Sequence, residues 1–291
     1  MRQYLVDFFK DFAYQDEDAS ILLSAYDKTV ADKEACTLLH DAIAAYEKNI
    51  RINYNEEILD RATKIAEIIG MHRYTMQLLL FICLSQHLRT LYVERGLDLQ
   101  IFHDSMLDLK WKLDECLAVK GICGSFVAGW FPGFFDLTRF ALGRLQFEAT
   151  HLEADYEKNG LHLKKGESRA INVHIPRTGT PMDKQSCDAA YAQARAFFAA
   201  ELGENAPFVC HSWLLFPENL NILSPTTNTY RFASEYDIID WGYNDGGDLW
   251  RLFDTHELNP ACLPTNGSLR RAYVEHLKSG GRVGWGYGIK I

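Results

Sequence analysis

The chain has 291 residues, enough for two domains that each bury a core of their own. Its charge is acidic, with 39 Asp and Glu against 30 Lys and Arg and no run of like charges. Nucleic acid is therefore excluded as the expected partner, because binding to phosphates needs a basic face. The seven cysteines are odd in number and form no CxxC pair, which predicts free thiols and a reducing, cytoplasmic location.

No membrane segment is predicted. The stretch Met76–Leu84 is strongly apolar, but it is much shorter than the ~20 residues needed to cross a bilayer. The N-terminus lacks the apolar core of a secretory signal. We therefore expect no membrane partner.

The N-terminal part of the chain predicts helices and little else, because apolar residues recur there at helical spacing. The five helical segments are Ala19–Thr29, Ala31–Asn49, Glu56–Ile69, His72–Arg95 and Asp98–Val119. Asn55 is the predicted N-cap of the third segment, and Gly70 and Gly96 are predicted to end the third and fourth.

From Gly121 to Asp136 the pattern changes to glycines and aromatic residues around Pro132, which no single regular element accommodates. We expect this segment to pack between domains or, alternatively, to line a pocket. It ends an all-helical N-terminal domain over residues 1–135, and residues 136–291 form the second domain.

The second domain is centred on a stretch that predicts strand, loop, long helix and strand. Ala170–Ile175 alternates as a strand does, and a helix of about five turns follows. Thr180 is the predicted N-cap of that helix and Pro181 its first residue. Pro207–Phe216 is short and apolar, as a buried strand is. Two strands that flank a crossover helix predict parallel neighbours, with a turn at the helix N-terminus that suits an anionic ligand.

Shorter strands and helices complete the second domain. Strands are predicted at Leu142–Glu148, Gly160–Leu163, Asn228–Ile239 and Val283–Ile289, and helices at Pro217–Leu223, Gly246–Asp254 and Ser268–Lys278. We expect Gly160–Leu163 to pair antiparallel with Ala170–Ile175 around the turn at Lys164–Glu167. The glycines of the last strand lie on one face, where they allow either a ligand or a packed helix to approach closely.

Four motifs in this order resemble a bacterial acyltransferase family. They are Leu142-Gly-Arg-Leu-Gln-Phe-Glu148, Val173-His-Ile-Pro-Arg-Thr-Gly179, Ala194-Arg-Ala-Phe-Phe198 and Cys210-His-Ser-Trp-Leu-Leu215. Members carry a helical N-terminal domain followed by a C-terminal domain of the GNAT (acyl-CoA N-acyltransferase) type. The resemblance covers nearly the whole chain and implies an α+β fold, in which an all-helical domain precedes a GNAT-like mixed β-sheet flanked by helices.

The resemblance also implies where a donor substrate binds. In GNAT folds the fourth strand splays from the fifth, the pantetheine arm of CoA lies in that gap, and backbone N–H groups of the following turn hold the pyrophosphate. Ala170–Ile175 and Phe208–Leu215 correspond to these strands, and acyl-CoA is the implied co-substrate, with no metal expected. The implied donor-binding residues are Ile175, Arg177, Thr178, Gly179 and Thr180.

Direct transfer from a thioester needs a base for the acceptor and is helped by an acid for the leaving thiolate. His174, at the end of the fourth strand, and His211, on the fifth, are candidate bases because imidazole accepts a proton near neutral pH. A hydrogen-bonded core histidine is the alternative for each. Glu148 is another candidate base, and Tyr230 is a candidate acid.

We therefore expect a CoA-dependent acyltransferase that acts on a small-molecule acceptor with an amine or a hydroxyl group. The alternative is a catalytically inactive GNAT-like module that binds acyl-CoA or a partner protein. A third possibility is a thioester hydrolase whose nucleophile is Cys210 or Ser212. The acceptor, the acyl chain length and the oligomeric state are left open.

Overall fold

A computed structural model describes all residues, 1–291. The chain divides into two compact units, Met1–Phe140 and Ala141–Ile291. The sequence-based boundary at residue 135 falls a few residues before this division. None of the helices combines the length and the apolar character required to cross a membrane.

The first unit is helical, and the five helices predicted there are confirmed to within a few residues. Its helices are α1 (Arg2–Asp11), α2 (Asp16–Ala31), α3 (Lys33–Lys48), α4 (Arg61–Ile69), α5 (Arg73–Glu94), α6 (Leu99–Lys120) and α7 (Pro132–Phe135), with a π-helical turn at Asn55–Asp60 and a 3-10 turn at Ala128–Trp130. Helix α1 was not predicted.

Cap chemistry explains where these helices begin and end. The Asp98 carboxylate accepts a 2.8 Å hydrogen bond from the Gln100 amide at the start of α6. Gly70 ends α4 in the left-handed conformation with a φ of 65°, as predicted. The N-cap prediction for Asn55 was wrong, because Asn55 lies inside the π-helical turn, which begins after Tyr54.

Helix α5 lies at the centre of the helical unit. Twelve of its residues are buried, including nearly all of Met76–Leu84. A helix that is apolar on all sides is stable in a protein core when other helices surround it. The apolar stretch that the sequence shows is therefore a core helix.

The glycine- and aromatic-rich segment Gly121–Asp136 forms two short helical turns and, as predicted, no single regular element. Phe131 and Phe135 are fully buried, and their ring centroids lie 5.1 and 4.9 Å from that of Phe81 on α5. The Tyr46 hydroxyl donates a 2.8 Å hydrogen bond to the Phe135 carbonyl. These two rings therefore belong to the core of the helical unit itself.

The second unit is built on a mixed sheet, which confirms the α+β fold class. The strands are β1 (Arg139–Leu142), β2 (Leu145–His151), β3 (Tyr156–Lys158), β4 (Leu161–Leu163), β5 (Arg169–His174), β6 (Phe208–Ser212), β7 (Asp237–Tyr243) and β8 (Gly284–Lys290). The helices are α8 (Lys184–Leu202), α9 (Asn219–Ile222), α10 (Asn228–Ser234), α11 (Trp250–Phe253) and α12 (Ser268–Lys278). Six strands form one sheet in the order β1-β2-β5-β6-β8-β7, and β3 and β4 form a separate hairpin.

The predicted strand–helix–strand unit is present as β5, α8 and β6, and the two strands are parallel. They pair at only two positions, Ile171 with Phe208 and Asn172 with Val209. On its other side β6 pairs antiparallel with β8 over five residues. The strands β5 and β6 therefore separate after Asn172 and Val209, and a gap opens toward their carboxyl ends.

The predicted pairing of Gly160–Leu163 with Ala170–Ile175 was wrong. Strand β4 pairs with β3, while β5 pairs with β2. The turn after β4 explains the difference, because the Leu152 amide donates to the Ser168 backbone carbonyl and the Gly166 amide donates to the Leu152 carbonyl. These bonds return the chain to the end of β2.

The predicted strand over Asn228–Ile239 was also wrong in its first half. Residues Asn228–Ser234 form α10, because the Thr227 hydroxyl caps them by accepting a 3.3 Å hydrogen bond from the Tyr230 amide. The strand β7 begins only at Asp237. The predicted helix at Gly246–Asp254 is similarly shortened to α11.

The glycines of β8 allow the chain to pack on itself. A Cβ atom at Gly286 would overlap the Leu215 carbonyl oxygen, and one at Gly284 would overlap the Gly242 carbonyl oxygen. The close approach left open by the sequence is therefore made by the protein's own backbone, mainly at a 3-10 turn that follows β6.

Candidate active site

The two faces of the sheet differ at β2, β5 and β6. Phe147 and Phe208 point toward α8, since their ring centroids lie 6.1 and 4.8 Å from that of Tyr191. Side chains alternate along a strand, so the residues next to these phenylalanines point to the opposite face. The polar side chains described below lie on that opposite face.

Three of these polar side chains form a hydrogen-bonded cluster. The His174 Nε2 lies 2.8 Å from the Glu148 Oε1, and the Asn172 side-chain Nδ2 donates to the same oxygen at 3.1 Å. The side chains of His174 and Glu148 are only 19% and 20% exposed. Two of the predicted site residues, on different strands, are therefore brought together as a carboxylate–imidazole pair.

A second carboxylate–imidazole pair involves His211 on β6. Its Nδ1 lies 3.3 Å from the Glu153 Oε2, and both side chains are about half exposed. The ring of His211 also lies 4.6 Å from that of Trp285 on β8. The predicted site residue His211 is thus held by a carboxylate that the sequence analysis did not single out.

The two histidines occupy equivalent positions on either side of the gap. In the parallel register Asn172 is opposite Val209, so His174 and His211 each come two residues after the last paired position. Because the side-chain direction repeats every two residues, both point to the same face. Hydrogen-bonded strands lie about 4.8 Å apart, and here the separation increases from that value.

The loop between β5 and α8 is held in place by Arg144. Its guanidinium donates to the backbone carbonyls of Pro176, Thr180 and Pro181 at 3.1, 3.2 and 3.3 Å. Burial lowers the pKa of Arg144. The single guanidinium group thereby fixes both ends of the segment predicted to bind the donor.

Arg177, a predicted donor-binding residue, is engaged in an ion pair. Its guanidinium donates to both carboxylate oxygens of Asp254, and Arg270 donates to the same carboxylate at 2.6 Å. Burial would raise the pKa of Asp254, but the hydrogen bonds from the two arginines outweigh it and lower the pKa. Arg177 therefore joins the loop to Asp254 at the end of α11, and Arg270 joins the same carboxylate to α12.

Helix α8 begins later than predicted. Asp183 is its N-cap and accepts a 2.9 Å hydrogen bond from the Ser186 amide, so the predictions for Thr180 and Pro181 were wrong. The Thr180 hydroxyl instead lies 2.6 Å from that of Thr178, across Gly179 with its φ of 76°. A carboxylate already occupies the position at which the helix would attract an anion.

The candidate nucleophiles of β6 are poorly placed for that role. Cys210 is completely buried on the α8 side of the sheet, and burial raises the pKa of its thiol to about 12. The Ser212 hydroxyl accepts a 3.2 Å hydrogen bond from the Leu214 amide and caps a 3-10 turn. A thioester hydrolase mechanism at these residues is therefore unsupported by the geometry.

Tyr230, the candidate acid, lies on α10. Its ring packs against an apolar cluster that includes Leu223, Leu249 and Phe253. The structure does not group it with the two carboxylate–imidazole pairs, and its catalytic role stays a prediction.

Four residues of this region were missed by sequence reasoning. They are Arg144, Glu153, Asn172 and Asp254. Asn172 was detectable, because it precedes His174 by two residues and so shares its face. The other three lie far along the chain from their partners, and no local pattern indicates those contacts.

Family comparisons agree with this architecture. Residues 139–290 match the GNAT-like C-terminal domain, and residues 3–137 match the N-acyltransferase N-terminal domain. The chain therefore belongs to the acyltransferase family that these two domains define, as the motif resemblance implied.

Solved structures share the fold over almost the whole chain. One is an acyltransferase in complex with decanoyl-CoA and teicoplanin, which is 20% identical with a TM-score of 0.74 and aligns over 98% of this chain and 86% of its own. Another is an acyltransferase mutant in complex with octanoyl-CoA, which is 20% identical with a TM-score of 0.76 and aligns over 99% of this chain and 87% of its own. No curated protein matches the chain.

Proposed function

We propose that the protein is an acyl-CoA-dependent acyltransferase that passes the acyl group directly to a nucleophilic acceptor. The observation that carries this proposal is the gap between β5 and β6, with the Glu148–His174 pair at its opening. Membership of the acyltransferase family supports it. The similar structures described with decanoyl-CoA and octanoyl-CoA suggest the class of donor.

The gap offers a backbone donor for the thioester carbonyl. The Ile171 amide donates a 2.9 Å hydrogen bond to the Pro207 carbonyl and so points toward β6. Amide directions alternate along a strand, so the Val173 amide points the same way and is used by the pairing of Asn172 with Val209; the next amide of this series, that of Ile175, follows the end of β5 and lies beyond the last paired position. A carbonyl oxygen bound there would be stabilised as its negative charge develops.

His174 is then the general base, and Glu148 orients its ring. The acceptor atom attacks the carbonyl carbon, its proton passes to the imidazole, and the carbon–sulfur bond breaks to release CoA as a thiolate that takes up a proton. An imidazole held by a carboxylate is suited to this work, because the pair stabilises the imidazolium that forms.

The loop after β5 is the proposed site for the diphosphate of the donor. Arg144 orders the loop by hydrogen bonds to its carbonyl groups, and Thr178, Gly179 and Thr180 lie at its turn. Arg177 would contact a phosphate only by exchanging the Asp254 carboxylate for phosphate oxygens.

The test is a measurement of CoA release from acetyl-CoA and decanoyl-CoA, with and without an acceptor panel of primary amines, alcohols and teicoplanin. We expect release that depends on an acceptor. The variant His174→Gln should lower kcat by about 100-fold, a typical contribution of a general base, with unchanged donor affinity and melting temperature. Equal release without any acceptor would indicate a hydrolase and contradict the proposal.

The second candidate function is an inactive module that binds acyl-CoA. It is favoured by the Asp183 cap and the Arg177–Asp254 ion pair, since both occupy positions where a phosphate would bind. Calorimetric binding of decanoyl-CoA without turnover on any acceptor would support this candidate.

The loop assignment is tested with Gly179→Val, which strains a backbone with φ of 76° although the space around it is open. Gly203→Val is the matched control, because Gly203 has a φ of 83° and similarly open space at the other end of α8. We expect only Gly179→Val to weaken donor binding. Equal affinities in the two variants would remove the loop from the donor site.

A further inference from the structure

The proposed function uses one carboxylate–imidazole pair, but the gap has two. His174 with Glu148 lies on the β5 side, and His211 with Glu153 lies on the β6 side. Both histidines follow the last paired position by two residues and point to the same face. The two imidazoles therefore belong to the two strands that border the gap, on the same face of the sheet.

The second pair is positioned by neighbouring structure, although it is half exposed. The Glu153 amide donates a 3.0 Å hydrogen bond to the Tyr287 hydroxyl, and the preceding residue Leu152 is buried. The ring of His211 packs against Trp285 at 4.6 Å. The backbone of Glu153 and the ring of His211 are therefore both held in place by side chains of β8, Tyr287 and Trp285.

The number of protons released by the acceptor distinguishes amines from alcohols. An alcohol that attacks a thioester loses one proton, and the leaving thiolate takes one up, so a single base is sufficient. A primary ammonium ion must first lose one proton to become a nucleophile and then lose a second as the amide forms. One proton ends on the thiolate and the other is released to solvent.

We infer that His211, oriented by Glu153, removes the first proton from a primary ammonium acceptor, and that His174 removes the second during attack. This inference rests on the proposed acyl transfer and assigns His211 a role when the acceptor arrives as a primary ammonium ion. The titratable groups that contact His211 are Glu153 from the segment after β2 and Tyr287 from β8, and His174 is the equivalent residue on β5 in the parallel register. No redox step or additional co-reactant is involved.

Three matched acceptors test the inference: benzylamine, benzhydrazide and benzyl alcohol. Benzylamine is an ammonium ion at neutral pH, whereas the hydrazide nitrogen is already neutral. His211→Gln should lower kcat/KM for benzylamine at pH 7 by about 100-fold and leave benzhydrazide within about twofold. The benzylamine deficit should shrink as the pH rises through the pKa of the amine, which a merely structural role would not produce.

Two further variants serve as checks. Glu153→Gln should lower the benzylamine rate less than His211→Gln and with the same pH dependence. His162→Gln removes another exposed histidine, which lies 3.4 Å from Glu157 on the β3–β4 hairpin, and should leave all rates unchanged. This control separates the position of His211 at the gap from the general loss of a surface ion pair.

The possible failures are distinguishable. Equal losses of benzylamine and benzhydrazide activity at every pH would overturn the role of His211 and leave acyl transfer intact. Transfer to alcohols and not to amines would also overturn the role of His211, because no ammonium ion would then lose a proton, and would leave acyl transfer intact. No acceptor-dependent CoA release with any member of the full panel would contradict the proposed function, and this inference with it.

Discussion

Strand β6 has two neighbours in the sheet, and it pairs with them to different extents. Toward β8 it pairs over five consecutive residues, and glycines on β8 let the backbone at Leu215 pack directly against the sheet. Toward β5 it pairs at two positions, and the strands then separate with a histidine on each side. One edge of the strand completes the core, while the other borders the gap in which we propose that the donor binds.

The difference shows how a sheet can keep a gap without collapsing. Unpaired backbone groups at the gap favour closure onto a partner, because a buried amide without a hydrogen bond costs free energy. The tight β6–β8 side resists that movement, since its glycines leave no space to shift. The loop after β5 is held separately by Arg144 and Asp254.

The largest effect is expected on the closed side. Gly286→Ala places a Cβ atom against the Leu215 carbonyl oxygen, which is backbone and cannot rotate away. We expect the free energy of unfolding to fall by about 3 kcal/mol in urea denaturation. Gly129→Ala is the control, because a Cβ atom there meets open space. Equal stability of the two variants would show that the close packing is not required.

A smaller effect is expected where Arg144 holds the loop on the open side. Arg144→Ala removes all three hydrogen bonds to the loop carbonyls, so we expect acyl-CoA to bind about tenfold more weakly in calorimetry. Arg144→Lys keeps the charge but cannot make all three hydrogen bonds. Its affinity for acyl-CoA should therefore lie between those of Arg144→Ala and the unchanged protein. If Arg144→Lys binds as well as the unchanged protein, charge rather than loop geometry governs donor binding.

The ion pair at Asp254 predicts a pH effect of about 1 kcal/mol, small because Arg177 is partly exposed. The pKa of Asp254 is lowered in the folded state. Its stabilisation is therefore complete above the ordinary carboxyl pKa of about 3.9 and is lost as the pH falls below it. Asp254→Asn should lower the free energy of unfolding at pH 7, and the difference should shrink near pH ~3.

Asparagine also tolerates the left-handed backbone at this position, where φ is 58°, so the substitution tests the charge rather than the turn. A difference between the two proteins that is independent of pH would contradict the ion-pair explanation.

The smallest effect is expected for the buried thiol on the α8 side of β6. Cys210→Ala should change turnover by less than about twofold, because the thiolate form of a fully buried cysteine is inaccessible. Loss of activity in a variant that keeps its melting temperature would revive the covalent mechanism.

Helices could be predicted from the chain because their signals are local. In the helical unit, apolar spacing and residues such as Gly70 mark each segment within a few neighbours along the chain. The error at Asn55 concerns one cap only. Strand positions were also largely predictable, except that Asn228–Ser234 is a helix capped by the Thr227 hydroxyl. Not every strand partner was predictable, since β4 pairs with β3 and not with β5.

For the candidate site, the sequence alone was sufficient to single out His174, His211 and Glu148, because each lies on a predicted strand that the motif resemblance covers. It was also sufficient for the parallel strand–helix–strand unit and the family. The pairing of each histidine with a glutamate, and the retention of Arg177 by Asp254, depend on the fold. Those contacts join residues that are 26, 58 and 77 positions apart, and at such separations only the strand register and the packing of the chain determine which side chains meet.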